Sequence, residues 1–202
     1  MKKIRFVAFP IAAVVMLTFN PISSPLPIGS PIPKTDIKMM DISGTEVSFN
    51  EALKKNGLLV MFSCNTCPVV KKYQSRTLEV CKYATGNDIG VVLLNSNEAT
   101  RNEGDSYDDM KEYAKNQGYN FNYVVDNNSI MADAFGANRT PEIFLFNNEG
   151  KLVYHGAIDD NSNGPDQVTR KHAIIAIDES LAEKEISMKE TRSVGCVIKR
   201  RS

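Results

Sequence analysis

Leu58-Leu59-Val60-Met61-Phe62-Ser63-Cys64-Asn65-Thr66-Cys67-Pro68-Val69-Val70 is the stretch whose reading decides the fold. The apolar run Leu58–Phe62, bounded upstream by Asn56-Gly57, is too short and too uniformly apolar for a half-exposed strand. It predicts a central strand covered on both faces. That strand delivers Cys64 to the edge of a sheet. A helix starting at Cys64 places the two sulfurs at i and i+3, across one turn, at a distance a disulfide bridges. The unpaired N–H groups of such a helix start favour a thiolate, so the expected Cys64 pKa falls from ~8.5 for a free thiol into the range ~3.5–7.5. Pro68 suits an early helical position, where no intrahelical acceptor waits for an N–H.

Other uses of a Cys-x-x-Cys pair fit less well. A closed zinc site needs four ligands, and Cys81, Cys196, His155 and His172 are scattered, with no second close-spaced pair. Haem attachment needs His directly after the second cysteine, where Pro68 stands. The expectation is therefore no metal and no cofactor. A purely structural disulfide remains the bland alternative.

A second feature favours redox chemistry: Arg139-Thr140-Pro141-Glu142-Ile143-Phe144-Leu145-Phe146. Proline opens a strand but does not sit inside a central one, so Thr140-Pro141 marks the start of a strand over Ile143–Phe146. Asn147-Asn148-Glu149-Gly150 then reads as a hairpin turn into Lys151–His155. With these two motifs the chain resembles the thioredoxin superfamily. The resemblance implies a cis-proline at Pro141, Thr140 and Pro141 facing Cys64, and a neighbouring backbone that docks substrate. It makes Cys64 and Cys67 the catalytic pair, with Thr140, Pro141 and the adjoining Arg139 as substrate-binding candidates. Arg139 has a second reading as a solvated loop residue.

The chain has 202 residues, 42% apolar and 24% charged, enough for one ordinary core, and a formal net charge of zero. Nothing in that balance suggests a general affinity for nucleic acid or acidic lipid. The basic start Met1–Arg5 and the apolar run Phe6–Phe19 read as an export signal over residues 1–24, either cleaved or kept as a short anchor. Five of nine prolines fall between Pro21 and Pro33, so residues 25–36 are expected to be an extended spacer rather than core.

The folded domain is expected over residues 37–182. Lys38–Ile42 and Thr45–Val47 read as a short hairpin, and Ser48 with Glu51 as a capping box for a helix to Lys55. The Cys-x-x-Cys helix should reach Ala84, followed by a strand over Ile89–Leu94 and a polar loop over Asn95–Asp105. A helix capped by Ser106 and Asp109 runs to Gln117. A strand over Tyr119–Val125, a short helix over Ser129–Phe135 and a closing helix over Asp166–Ala182 complete the domain. The class is α/β: a thioredoxin-like fold, a central mixed sheet flanked by helices, with an N-terminal β-hairpin extension and an inserted strand-helix. Residues 183–202 read as a basic tail with Cys196 outside the core, either free or an intermolecular handle. Cys81, about 21 Å along the helix from Cys67, reads as a core residue, and His155 and His172 as non-catalytic.

Cys-Asn-Thr-Cys-Pro, Leu94-Asn95-Ser96-Asn97 and Val194-Gly195-Cys196-Val197-Ile198-Lys199 resemble one branch, the peroxiredoxin-like redoxins related to AhpC/TSA. The pattern Pro-x-x-x-Thr-x-x-Cys of true peroxiredoxins is absent, since Met61 occupies the Thr position before Cys64. The expected function is an exported, periplasmic or extracytoplasmic thiol-disulfide oxidoreductase. Its partners would be protein or small-molecule disulfides and a redox partner that resets the pair, with no nucleic acid and with membrane contact only through an uncleaved leader. The alternatives are a peroxiredoxin-like thiol peroxidase with antioxidant activity and a non-catalytic binding module whose Cys64–Cys67 bridge is permanent.

Overall fold

The computed structural model describes residues 24–201, so the leader expected over residues 1–24 lies, but for Ser24, outside the described residues. In chain order the elements are β1 (Met39–Met40), β2 (Glu46–Val47), α1 (Phe49–Ala52), β3 (Leu58–Ser63), α2 (Pro68–Gly86), β4 (Gly90–Asn95) and α3 (Tyr107–Gln117). They continue as β5 (Asn122–Val125), α4 (Ile130–Phe135), β6 (Arg139–Thr140), β7 (Glu142–Phe146), β8 (Leu152–Gly156), α5 (His172–Leu181) and β9 (Cys196–Val197). Five strands form the central sheet in the order β5-β4-β3-β7-β8. The pairs β3–β4 and β4–β5 are parallel, and β3–β7 and β7–β8 antiparallel.

Strand β3 is buried along its whole length, as its unbroken apolar run requires. Alternate side chains take opposite faces. Leu59 and Met61 pack with Tyr73 and Val80 of α2 and Ile177 of α5. Val60 and Phe62 point the other way, into a cluster with Phe49 of α1 and Phe135 of α4. Phe135 stands edge-on to Phe62 and Phe144, with ring centroids 5.4 and 5.1 Å away. Such edge-to-face rings add roughly 0.5–1.5 kcal/mol each beyond the area they bury. Both expected capping boxes form, Ser48 with Glu51 and Ser106 with Asp109. The hairpin of β1 and β2 leans on β5, where the Asp41 carboxylate accepts the Tyr123 N–H at 2.8 Å.

Several sequence expectations need correction. Helix α2 starts at Pro68, not Cys64, and Cys67 is its N-cap with ψ 121°. The cause is Pro68 itself: its ring disfavours helical backbone at the preceding residue, so the helix cannot extend back through Cys67. The expected closing helix is split into a turn at Pro165–Gln167 and α5. Asp160 breaks it by accepting the Thr169 N–H at 3.0 Å, while the Asp160 N–H goes to the Arg170 carbonyl at 3.1 Å.

Residues 25–36 are not a detached spacer. Between Pro25 and Pro33 the few remaining N–H groups are all the more directive: Leu26 donates to Phe135 O at 2.9 Å, Gly29 to Leu152 O at 2.8 Å and Ile32 to Gly150 O at 3.1 Å. Ile32 is buried in the core. The tail is also docked. The His155 N–H donates to Lys189 O at 3.0 Å and the Thr191 N–H to His155 O at 3.1 Å, so the outer strand β8 is covered from both directions of the chain.

Candidate active site

The turn that follows β3 carries both cysteines, and its shape comes from a residue forty positions away. The buried Asp105 carboxylate accepts the Asn65 N–H at 2.8 Å and the Thr66 hydroxyl at 2.8 Å. It also accepts the Asn95 and Asn97 amides at 2.9 and 3.2 Å and the Thr100 hydroxyl at 2.9 Å. Burial alone would push this carboxyl up, but hydrogen bonding, first from the Asn65 N–H and then from Asn95, outweighs it and holds the pKa below the ordinary value. Asp105 is therefore a buried anion beneath the cysteine turn. From the sequence, Asn95–Asp105 had only the appearance of a structureless loop. The signal was its density of short amide and hydroxyl side chains, the groups that wrap a carboxylate.

Cys64 is completely buried and free of any disulfide. Its Sγ lies 3.5 Å from Thr140 Oγ1. Burial pushes its pKa up, and the Asp105 charge adds to that, while hydrogen bonding with Thr140 and from the Cys67 and Thr66 amides opposes them. The expected lowering does not occur in this state. The helix start that was to provide it lies four residues further on, and low-dielectric surroundings disfavour the thiolate. Replacing Asp105 with Asn removes the nearby negative charge while keeping the shape. In reduced protein, Asp105→Asn is expected to shift the pH midpoint of Cys64 alkylation by iodoacetamide downward, so labelling at pH 7 speeds up several-fold. A midpoint unchanged or raised would show that the Asp105 charge does not govern Cys64.

The Thr140–Pro141 peptide bond is cis, and the Thr140 side chain lies against Cys64. The buried Glu142 carboxylate shapes this corner by accepting the Asn138 N–H at 2.9 Å and the Arg139 N–H at 3.0 Å. Sequence reading passed over Glu142 because a lone acid at the start of an apolar strand carries no periodic signal. Arg139 is exposed, and its guanidinium donates at 3.2 Å to the carbonyl oxygen of Gly195, the residue before Cys196. The backbone edge expected to dock substrate is already taken. Strand β6 pairs antiparallel with β9, Thr140 opposite Cys196 and Arg139 opposite Val197.

Cys196 is the main correction to the site. It is neither free nor intermolecular but disulfide-bonded to Cys67, with Cα atoms 6.1 Å apart. The permanent Cys64–Cys67 bridge of the binding-module alternative is accordingly absent from this state. The tail is held on each side of Cys196 by local bonds that composition could not reveal. Gly195 lies so close to the Thr140 carbonyl that any side chain there would collide with it. Beyond it, Ile198 is buried and donates its N–H to Asn138 O at 3.0 Å, Lys199 N–H reaches Asn97 Oδ1 at 3.0 Å, and Arg200 pairs with Asp133 at 2.7 Å.

Other residues stay apart from the sulfurs. Cys81 is a fully buried core thiol whose pKa burial pushes up. His155 stacks on Phe144 and has Nε2 3.4 Å from the Glu190 carboxylate, and His172 opens α5. No group of three or more His, Cys, Asp or Glu side chains placed to hold a metal is found among the described residues.

A mixed sheet with helices on both faces, and cysteines at the end of its central strand beside the cis Thr140–Pro141 bond, fit a redoxin of the thioredoxin superfamily. The chain belongs to the AhpC/TSA family, whose model matches residues 28–155. Among solved structures, an uncharacterized conserved protein from Geobacillus kaustophilus is 30% identical, with 87% of this chain and 93% of that one covered and a TM-score of 0.80. A hypothetical protein from Sinorhizobium meliloti is 29% identical, with coverages of 89% and 97% and a TM-score of 0.80. The thioredoxin domain of a thiol-disulfide oxidoreductase from Bacteroides vulgatus shares the fold at 23% identity, with coverages of 64% and 88% and a TM-score of 0.53. Among curated proteins nothing matches. Membership of this family points to thiol oxidoreductase or peroxidase chemistry.

Proposed function

We propose that this protein is a thiol-disulfide oxidoreductase in which Cys64 is the attacking thiol and Cys67 the resolving one. The observation that carries the reading is the convergence on Thr140: Cys64 Sγ lies 3.5 Å from its hydroxyl and Cys67 Sγ 3.5 Å from its carbonyl oxygen. With all cysteines reduced, the Cys64 thiolate attacks a substrate disulfide, forming a Cys64–substrate bond and expelling the other substrate sulfur as a thiol. The Cys67 thiolate then attacks Cys64 Sγ, which forms Cys64–Cys67 and frees the second substrate thiol. Two electrons have passed from the pair to the substrate. The basic and then apolar leader supports action outside the cytoplasm, on protein or small-molecule disulfides, with a separate redox partner.

Peroxide reduction is the second reading, favoured by the family and by the Thr140 hydroxyl beside Cys64. It requires donors that hold the thiolate and polarise the O–O bond. Met61 is packed into the core in place of the peroxide-orienting Thr, and among the described residues no guanidinium hydrogen bonds to Cys64. Disulfide exchange asks for less: an attacking thiol and a resolver beside it. Stopped-flow oxidation of the reduced protein compares the two. Insulin disulfides are expected to be reduced at least ten times faster than hydrogen peroxide at equal concentration. Rapid peroxide-driven oxidation with negligible insulin reduction would reverse the assignment.

A further inference from the structure

Three cysteines, not two, meet at Thr140. Cys64 faces its hydroxyl, Cys67 its carbonyl oxygen, and Cys196 is its partner across the β6–β9 pairing. Cys67 is the middle sulfur, joined to Cys196 in this state and separated from Cys64 by one turn of chain. The three also differ in access. Cys64 is 0% exposed and Cys67 3%, whereas Cys196 is partly exposed at the surface end of the array. The flanking tail is anchored by Ile198 and Lys199, so Cys196 is held at the site instead of sampling it from a loose end.

We propose that Cys196 is a third redox-active cysteine, which takes the disulfide over from Cys64–Cys67 and presents it to an external protein dithiol. This rests on the oxidoreductase reading and extends it by one exchange. After substrate reduction has left Cys64–Cys67, the Cys196 thiolate attacks Cys67 Sγ. The Cys67–Cys196 bond forms, the Cys64–Cys67 bond breaks, and the electron pair of that bond leaves with Cys64, which takes up a proton from solvent. No net electrons are gained or lost in this step. The state described by the structure, with Cys64 a thiol and Cys67–Cys196 joined, is its product.

Reset then begins at the reachable sulfur. A thiolate of the external dithiol attacks Cys196 Sγ, expelling Cys67 as a thiolate. Its second thiol closes the reductant's own disulfide and releases Cys196 as a thiol. The site regains two electrons and the reductant loses two. In the state described Cys64 and Cys67 are buried, and Cys196 is the sulfur of the array that a protein reductant meets first. Through Cys196 it need only reach the strand that already lies at the surface.

The order of bonds is directly measurable. Fully reduced protein is mixed with excess insulin, quenched in acid at intervals from milliseconds to seconds, and its disulfides mapped by mass. Cys64–Cys67 is expected first, passing into Cys67–Cys196 at a rate no slower than steady-state turnover. With reduced thioredoxin as the electron source, Cys196→Ser is expected to halt at Cys64–Cys67 and lose at least tenfold in turnover. The melting temperature of the reduced variant shows whether its fold is retained, and the quench on unmodified protein needs no variant. Appearance of Cys67–Cys196 more than ten times slower than turnover, or wild-type turnover in Cys196→Ser, would overturn the relay and leave the Cys64–Cys67 reading standing. Failure of insulin to oxidise Cys64 at all would overturn both.

Discussion

Cys64→Ser is expected to lower insulin reduction by at least about 1,000-fold, because a serine hydroxyl at this position cannot supply the attacking nucleophile. Cys81 is fully buried in the core on the far part of α2 and cannot stand in for it. The complementary variant separates attack from resolution. Cys67→Ser combined with Cys196→Ser leaves Cys64 without a resolver, so it should accumulate a mixed disulfide with substrate, visible as a shifted band on a non-reducing gel. In Cys64→Ser no such band is expected. Equal trapping by both variants would mean that the attacker has been misassigned. The pH profile adds a further check: since burial and the Asp105 charge raise the Cys64 pKa, the exchange rate should climb with pH through and beyond the ordinary thiol range.

Asp159→Ala is expected to cost about 3–5 kcal/mol of stability, the size seen when one partner of a buried ion pair is removed. Arg76 projects from α2 and Asp159 follows β8; their side chains are 5% and 2% exposed and meet at 2.8 Å. The same guanidinium donates to Asn161 O at 2.6 Å and lies 3.7 Å above the Tyr73 ring, and the Tyr73 hydroxyl donates to Asp159 at 3.2 Å. Alanine at 159 strands a buried cation with only the Asn161 and Lys72 carbonyls and the Tyr73 ring for company. Urea unfolding measures the loss. Replacing both residues by apolar ones, Arg76→Met with Asp159→Leu, should recover most of it, because the desolvation cost of both charges disappears together. A loss below 1 kcal/mol for Asp159→Ala would show that water reaches Arg76 and screens it.

The ion pair also illustrates what a linear reading misses. On α2 the positions Val70, Tyr73, Thr77, Cys81 and Ala84 were legible as one face by their spacing, and all are buried. Arg76 is buried beside them, and its charge suggested a solvated position until a partner 83 residues away came into view. Glu142 and Asp105 were hidden for the same reason. Each is a single acid whose role depends on which N–H and O–H groups the fold turns toward it.

What the sequence determined by itself was local. An unbroken apolar run made β3 a central strand, capping pairs started α1 and α3, and Cys64-Asn65-Thr66-Cys67 together with Thr140-Pro141 marked the site. These signals are carried by neighbours a few residues apart, where backbone geometry alone dictates which side chains share a face. The tertiary structure alone decided the state of the thiols. Cys67 finds Cys196 across 129 residues, Asn65 finds Asp105 across 40, and both partners lay in segments read as loop or tail. Spacing within an element cannot encode such meetings. They arise because the sheet brings the end of β3, the β4–α3 loop and the Thr140-Pro141 corner to one edge, where burial raises the Cys64 pKa and a docked tail completes the array of sulfurs.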